Sequence, residues 1–193
     1  MATPESDNFL RLLEARRSVR KFSPRRVTPE EASVLERAFM LAPQAGGNRG
    51  LRCFPVTDES MIRAMAETGR LAYGERLAKI GDEEVRSRHA EYGEDFFWFF
   101  NAPFLLVAVV RRPPLYFQEI PDINANLVFG GHLSAAMAVH NALLAAQTLG
   151  LGGCCLGGPM LQAEEIGKLL GLDHREELSL LAAVGEPAER RKA

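Results

Sequence analysis

Between Asp122 and Glu164 the chain carries no Asp, Glu, Lys or Arg, and this charge-free run constrains the fold more than any other feature. A stretch that presents no charge to water has to be covered. Within it, Leu133 to Leu149 has helical character, so the choice is between a membrane span and a core helix. His140, Asn141, Gln147 and Thr148 interrupt the apolar part, which barely reaches the roughly 20 residues a bilayer requires. A fully buried helix of a globular protein is therefore expected, with no membrane partner. In a chain of 193 residues, a helix apolar on every side needs cover from more than one direction, and a second copy of the chain supplies it simply. A homodimer with this helix in or near the interface is the expectation.

At 47% apolar and 25% charged, residues 1–193 have the balance of a single domain with a sizeable core. The net charge of −2 argues against nucleic acid as a partner. Cys53, Cys154 and Cys155 are odd in number, and two are adjacent, which fits neither a disulfide framework nor a metal-ligand spacing. A cytoplasmic location follows, and the acidic Met1–Asp7 segment, with no apolar run, gives no reason to expect export.

Against this neutral background, Arg16-Arg17-Ser18-Val19-Arg20-Lys21-Phe22 places four cations and a hydroxyl in seven residues. Guanidinium forks and a hydroxyl suit a phosphate, although a cluster of this kind on its own is more often solvated surface. The cluster follows a short helix that Asp7 can cap, with Phe9, Leu10, Leu12 and Leu13 as its apolar positions. Thr28-Pro29-Glu30-Glu31 reads as a capping box that opens a helix to about Ala42, followed by the loop Pro43 to Gly50. A strand over Arg52 to Thr57, a helix capped near Asp58, and a polar, helix-prone region from Arg70 to about Asp95 come next. The aromatic run Phe96 to Phe100 reads as core and leads into a buried strand, Phe104 to Val110.

Arg112 to Pro121 is a Pro-rich connection, and after the charge-free helix a helix is expected from Ala163 to Leu170 and a strand from Leu178 to Val184. Helices with about four separate strands give an α+β layered domain. Gly150-Leu151-Gly152-Gly153 begins like a dinucleotide fingerprint, but it follows a helix and lacks the third glycine, so a Rossmann site is rejected. Gly157 and Gly158 let backbone N–H groups approach a flat ligand closely, or simply make a tight turn.

Taken in order, these pieces resemble the FMN-dependent nitroreductase family from Arg16 to Lys192. The resemblance is carried by the opening Arg-Arg-Ser-Val-Arg-Lys-Phe, by Ala42-Pro43-Gln44-Ala45-Gly46-Gly47-Asn48, and by Ala102-Pro103 entering an apolar strand. It continues through Asn141 to Ala146, Gly150 to Gly158, and Val184-Gly185-Glu186-Pro187-Ala188-Glu189. The loop departs from the family pattern at Gln44, near Gly47 and at Arg49-Gly50. The resemblance implies a mixed central sheet flanked by helices in an intertwined homodimer, with FMN at the interface. It implies that Arg16, Arg17 and Ser18, with Arg190, Arg191 and Lys192 of the tail, take the FMN phosphate, and that Arg20 lies near the N1 and O2 edge of the ring. Pro43, Gln44, Ala45, Gly46 and Asn48 would line the ring, and Gly157 and Gly158 would pass its N5 side.

The activity implied is hydride transfer from NADH or NADPH to an electron-poor small molecule, of nitroaromatic or quinone type, by ping-pong chemistry, with FMN N5 and no protein nucleophile carrying it. Dehydrogenation, dehalogenation, flavin breakdown, or flavin sensing without turnover are the alternatives on the same fold. His140 is expected as a hydrogen-bonded core residue, and Cys154 and Cys155 as small buried residues of a strand.

Overall fold

The computed structural model describes residues 3–45, 50–94, 101–113 and 119–189. Helix α1 (Pro4–Ala15) begins three residues before Asp7. The Thr3 hydroxyl accepts the Ser6 N–H at 3.3 Å and the Ser6 hydroxyl accepts the Thr3 N–H at 2.8 Å, so a Ser closes the box where Glu is the usual signal. Helix α2 (Pro29–Met40) starts as its sequence predicts: Thr28 Oγ1 accepts the Glu31 N–H and Glu31 Oε2 accepts the Thr28 N–H. Strand β1 (Leu51–Val56) leads to α3 (Glu59–Leu77), capped by Asp58, and the polar region beyond continues as α4 (Glu83–Glu94).

Strand β2 (Phe104–Arg111) precedes the long helix α5 (Pro121–Thr148) and strand β3 (Gly152–Leu156). A 3₁₀ turn (Gly158–Gln162), helix α6 (Ala163–Leu169) and strand β4 (Glu176–Gly185) complete the order. The aromatic run 96–100 lies outside the described residues.

The four strands form an antiparallel sheet in the order β1-β2-β4-β3. The mixed character expected of the sheet is confined, among the described residues, to a parallel bridge between Ser18 and Gly153 at the β3 edge. Alternation along β2 explains the layers: Phe104, Leu106, Ala108 and Val110 pack on the α2/α5 side, while Leu105, Val107 and Val109 pack on the α3/α6 side. The β2–β4 register slips between Ala108, opposite Leu180, and Val109, opposite Leu178. Ser179 is the extra residue of that bulge.

Helix α5 starts twelve residues before the expected Leu133, with Pro121 in its first turn. Its sheet-facing stripe is mostly small, with Ala135, Ala138, Ala142 and Ala146 fully buried, so the helix sits close on the sheet. It is not buried on every side. Phe129 is 61% exposed and Leu133 50%, and Met137 and His140 continue the same uncovered face. The expectation of a core His140 fails for this reason: it lies on the face that the sheet does not reach. By length and composition alone α5 could cross a membrane, but its alanine stripe forms the floor of the α2/α5 core.

Candidate functional site

At Arg16 the backbone turns from helical to extended, with its N–H still bonded to Leu12 O, and the cation segment then runs to the outer edge of β3. The Val19 N–H donates to Gly153 O at 3.1 Å. Gly152 allows this approach, since a Cβ there would meet Val19 Cγ2 at 2.5 Å. Further on, the Ala188 N–H donates to Lys21 O at 3.0 Å and the Ser23 N–H to Glu186 O at 2.8 Å, so the segment is held at both ends. Arg17 folds back on the end of α1, donating to Glu14 O and to Arg16 O, which satisfies terminal carbonyls of the helix. None of Arg16, Arg17, Arg20 and Lys21 forms an ion pair with a carboxylate among the described residues. Ser18 and Arg20 are exposed beside them.

Gly157 follows directly on β3, with φ −83° and ψ −37°, a conformation open to any residue. A Cβ at this position would meet nothing within 4 Å, and the residue is exposed. Among the described residues nothing requires glycine there. Gly158 is buried and opens the 3₁₀ turn, which ends at Gln162. Gln162 is fully buried, yet neither its Nε2 nor its Oε1 has a partner among the described residues. Leaving such an amide unpaired is costly, so an unmet polar group sits at the end of the glycine turn.

Cys155 lies on β3 between Gly153, which bridges Ser18, and Gly157. It is exposed, contrary to the expectation of a buried residue, because β3 is an edge strand. Local desolvation raises its thiol pKa, with Cys154 adding to the rise, and the Arg16 guanidinium acts in the opposite direction. Cys154 is buried as expected. Cys53 is pushed up to about 12, by burial first and by Glu36 second.

Pro43, Gln44 and Ala45 belong to a second group. The Ala45 N–H donates to Ser134 Oγ at 2.9 Å, and Ser134 in turn donates to Gly130 O at 2.8 Å on α5. Gly130 is required for this fit, since a Cβ on it would stand 2.8 Å from Ala45 Cβ. The Gln44 Oε1 is buried and has no partner among the described residues. No described hydrogen bond joins this group to Arg16–Arg20 or to Gly157 and Gly158. Strands β1 and β3 are opposite edges of the sheet, three strand spacings or about 14 Å apart. Gly46, Asn48, Arg190, Arg191 and Lys192 lie outside the described residues.

Two networks were not legible in the sequence. The Ser23 hydroxyl donates to Glu186 Oε2 at 2.7 Å, and Arg25 bonds both oxygens of Glu31 at 3.0 and 2.9 Å. The hydrogen bond from Arg25 holds the Glu31 carboxyl below its ordinary range. At the bulge, Ser179 Oγ lies 2.7 Å from His132 Nδ1, while His132 Nε2 and Arg112 Nε each approach Glu177 at 3.6 Å. The bulge leaves Ser179 on the same side of β4 as Leu180, towards α5, and a bulge leaves no mark in a hydrophobic pattern.

The model of the nitroreductase family matches residues 13–186. The chain belongs to the nitroreductase family. Within this family it is 25% identical over 185 residues to the NADPH-flavin oxidoreductase of Vibrio harveyi, covering 94% of this chain and 66% of that one, just under two-thirds of the relative's length. Among solved structures it resembles a BluB-like flavoprotein from Clostridium difficile 630, with a TM-score of 0.83 at 21% identity, covering 96% and 92% of the two chains. An FMN-dependent nitroreductase from Clostridium difficile R20291 superposes with a TM-score of 0.66 at 21% identity, covering 94% and 89%. These likenesses place the α+β layers and the four-stranded sheet within the nitroreductase fold.

Proposed function

We propose that this protein is a homodimeric FMN-dependent oxidoreductase that uses NADH or NADPH to reduce an electron-poor small molecule of nitroaromatic or quinone type. The observation that carries the reading is the alignment, along one edge of β3, of cations without carboxylate partners and of a glycine with open space around its Cα, both among the described residues. The residues fit the group. Arg16 and Ser18 offer a guanidinium and a hydroxyl to a phosphate, Arg20 adds a fixed cation further along, and Gly157 leaves open space over the end of the strand. Arg190, Arg191 and Lys192 are proposed as further phosphate contacts from the tail, and Gly46 and Asn48 as part of the loop over the ring.

A second copy of the chain is part of this reading for two reasons. The apolar face of α5, with Phe129, Leu133 and Met137, is uncovered in one protomer. The Pro43–Ala45 group sits away from the β3 edge, so a partner packed on α5 would let one protomer's loop complete the other's site. The single-domain organisation of residues 1–193 and a cytoplasmic setting for its three free thiols belong to the same proposal.

When bound, FMN supplies the hydride chemistry between the nicotinamide and the acceptor. The chain's own part is to hold and to bias. Arg16 and Ser18 neutralise and orient the phosphate, and the cation of Arg20 favours added negative charge on a neighbouring group. The backbone at Gly157 and Gly158 can approach a flat ligand because no Cβ intervenes at Gly157. Donor and acceptor would use one space in turn, so the first product leaves before the second substrate enters. Steady-state assays with FMN-loaded protein, NADPH or NADH, and a quinone or nitroaromatic should give parallel double-reciprocal lines. Intersecting lines, or no turnover with either nicotinamide, would contradict the proposal.

A further inference from the structure

We infer that Glu186 is a positioning residue for the anion site, fixing the Arg16–Lys21 segment before any ligand arrives. The inference rests on the phosphate reading of that segment given above. Four cations in one extended segment repel one another, and among the described residues its backbone is tied only at isolated points, to β3 at Val19 and to Ala188 at Lys21. Its far end is held at Glu186, the first residue after β4. The backbone carbonyl of Glu186 accepts the Ser23 N–H at 2.8 Å, and its Oε2 accepts the Ser23 hydroxyl at 2.7 Å.

The same hydroxyl accepts the Arg25 N–H at 3.2 Å, and Arg25 Nε lies 3.8 Å from Glu186 Oε2. Arg25 in turn grips Glu31, the residue that closes the α2 capping box. One carboxylate thus joins the end of β4, the end of the cation segment and the start of α2. It also stands at the root of the C-terminal tail, through the bridge of Phe22 with Pro187 and the Ala188–Lys21 bond.

Position and charge make opposite predictions for this residue. As an anion near a cationic site, Glu186 should weaken the binding of a phosphate by Coulomb repulsion, and its removal should tighten it. As a clasp, it holds the cations in their binding arrangement, and its removal should weaken phosphate binding because the ligand must then order the segment itself. The clasp is favoured because the short bond from the Ser23 hydroxyl depends on the Glu186 carboxylate, while the contact of that carboxylate with Arg25 is long and Arg25 already has Glu31.

The test is the dissociation constant of the full chain for FMN and for riboflavin, which lacks the phosphate, measured by flavin fluorescence. Glu186→Ala should weaken FMN about tenfold and leave riboflavin within about twofold, as loss of a charge-assisted hydrogen bond implies. Glu186→Gln keeps an oxygen for the Ser23 hydroxyl and should restore most of the FMN affinity. Ser23→Ala, which cuts the same link from the other side and leaves the backbone bond in place, should shift FMN alone by about threefold. FMN affinity unchanged or tighter in Glu186→Ala would overturn the inference, as would equal loss of riboflavin. If Glu186→Ala does not fold, an unchanged FMN-to-riboflavin ratio in Ser23→Ala overturns it. Wild-type protein that binds FMN and riboflavin alike overturns the phosphate reading and this inference together, whereas wild-type discrimination that survives in Glu186→Ala overturns this inference alone.

Discussion

The backbone N–H of Ala45 donates to the hydroxyl of Ser134 at 2.9 Å, tying the loop after α2 to the middle of α5 across 89 residues of sequence. Ser134 is 2% exposed and donates its own hydrogen bond to Gly130 O, so both sides of the hydroxyl are used. Ser134→Ala should therefore cost about 1–3 kcal/mol of stability, because the Ala45 N–H loses its acceptor in a partly buried place. Denaturant titration of the two proteins without flavin checks this, and an unchanged midpoint would show that water replaces the hydroxyl.

Gly157 should separate stability from binding. Its φ and its empty surroundings accept a side chain, so Gly157→Val should leave the fold as stable as before or raise it by about 0.4–1 kcal/mol through the unfolded state. FMN binding should fall sharply, since the new side chain fills the space proposed for the ring. A variant that is stable and still binds FMN normally would remove Gly157 from the site.

The sequence carries much of the fold because its signals were local. The Thr28–Glu31 box, the Asp58 cap and the apolar run of the buried strand β2 all act within a few residues, and each is found where the pattern puts it. The start of α1 was obscured because Ser6 takes the part usually played by Glu, and the start of α5 because Ile120 provides no side-chain cap. The exposure of His140 and Cys155 depends on which face or edge is left open, which only the packed structure decides. Ser23 meets Glu186 across 163 residues, so nothing in either neighbourhood announces the pair.

Arg16 bears directly on the phosphate. Arg16→Ala should weaken FMN by about 1.5–3 kcal/mol, the range for a hydrogen bond to a charged group. Its thermal midpoint without flavin should stay close to wild type, since Arg16 has no carboxylate partner among the described residues to lose. Isothermal titration of the variant with FMN reads the first quantity, and undiminished affinity would show that the phosphate lies elsewhere.

Acid should expose the Arg25–Glu31 pair. The folded Glu31 carboxyl titrates below its ordinary value of 4.5, chiefly because Arg25 hydrogen-bonds it. A depressed folded value means that the pair's stabilisation is fully present above the ordinary value and is lost as pH falls through the folded one. Unfolding midpoints should therefore drop below about pH 4.5 in wild type and fall less steeply in Glu31→Gln. Equal slopes in the two proteins would show that the pair adds no pH dependence.

Thiol labelling provides a check on the β3 edge. The Cys53 thiol, pushed up to about 12 by burial, should resist alkylation at neutral pH, whereas the exposed Cys155 should react slowly. Bound FMN should protect Cys155, which lies between the Ser18 bridge and Gly157. Labelling of Cys155 at the same rate with and without FMN would count against a ligand along that edge.

Whether the protein is an FMN-dependent oxidoreductase is read by adding FMN to the flavin-free protein, removing the excess, and recording the absorbance spectrum before and after anaerobic NADH or NADPH. The expected result is a yellow protein with one FMN per chain whose visible band bleaches on addition of at least one of the two nicotinamides. A protein that remains colourless, or one that holds FMN and keeps its colour with both donors, would contradict it.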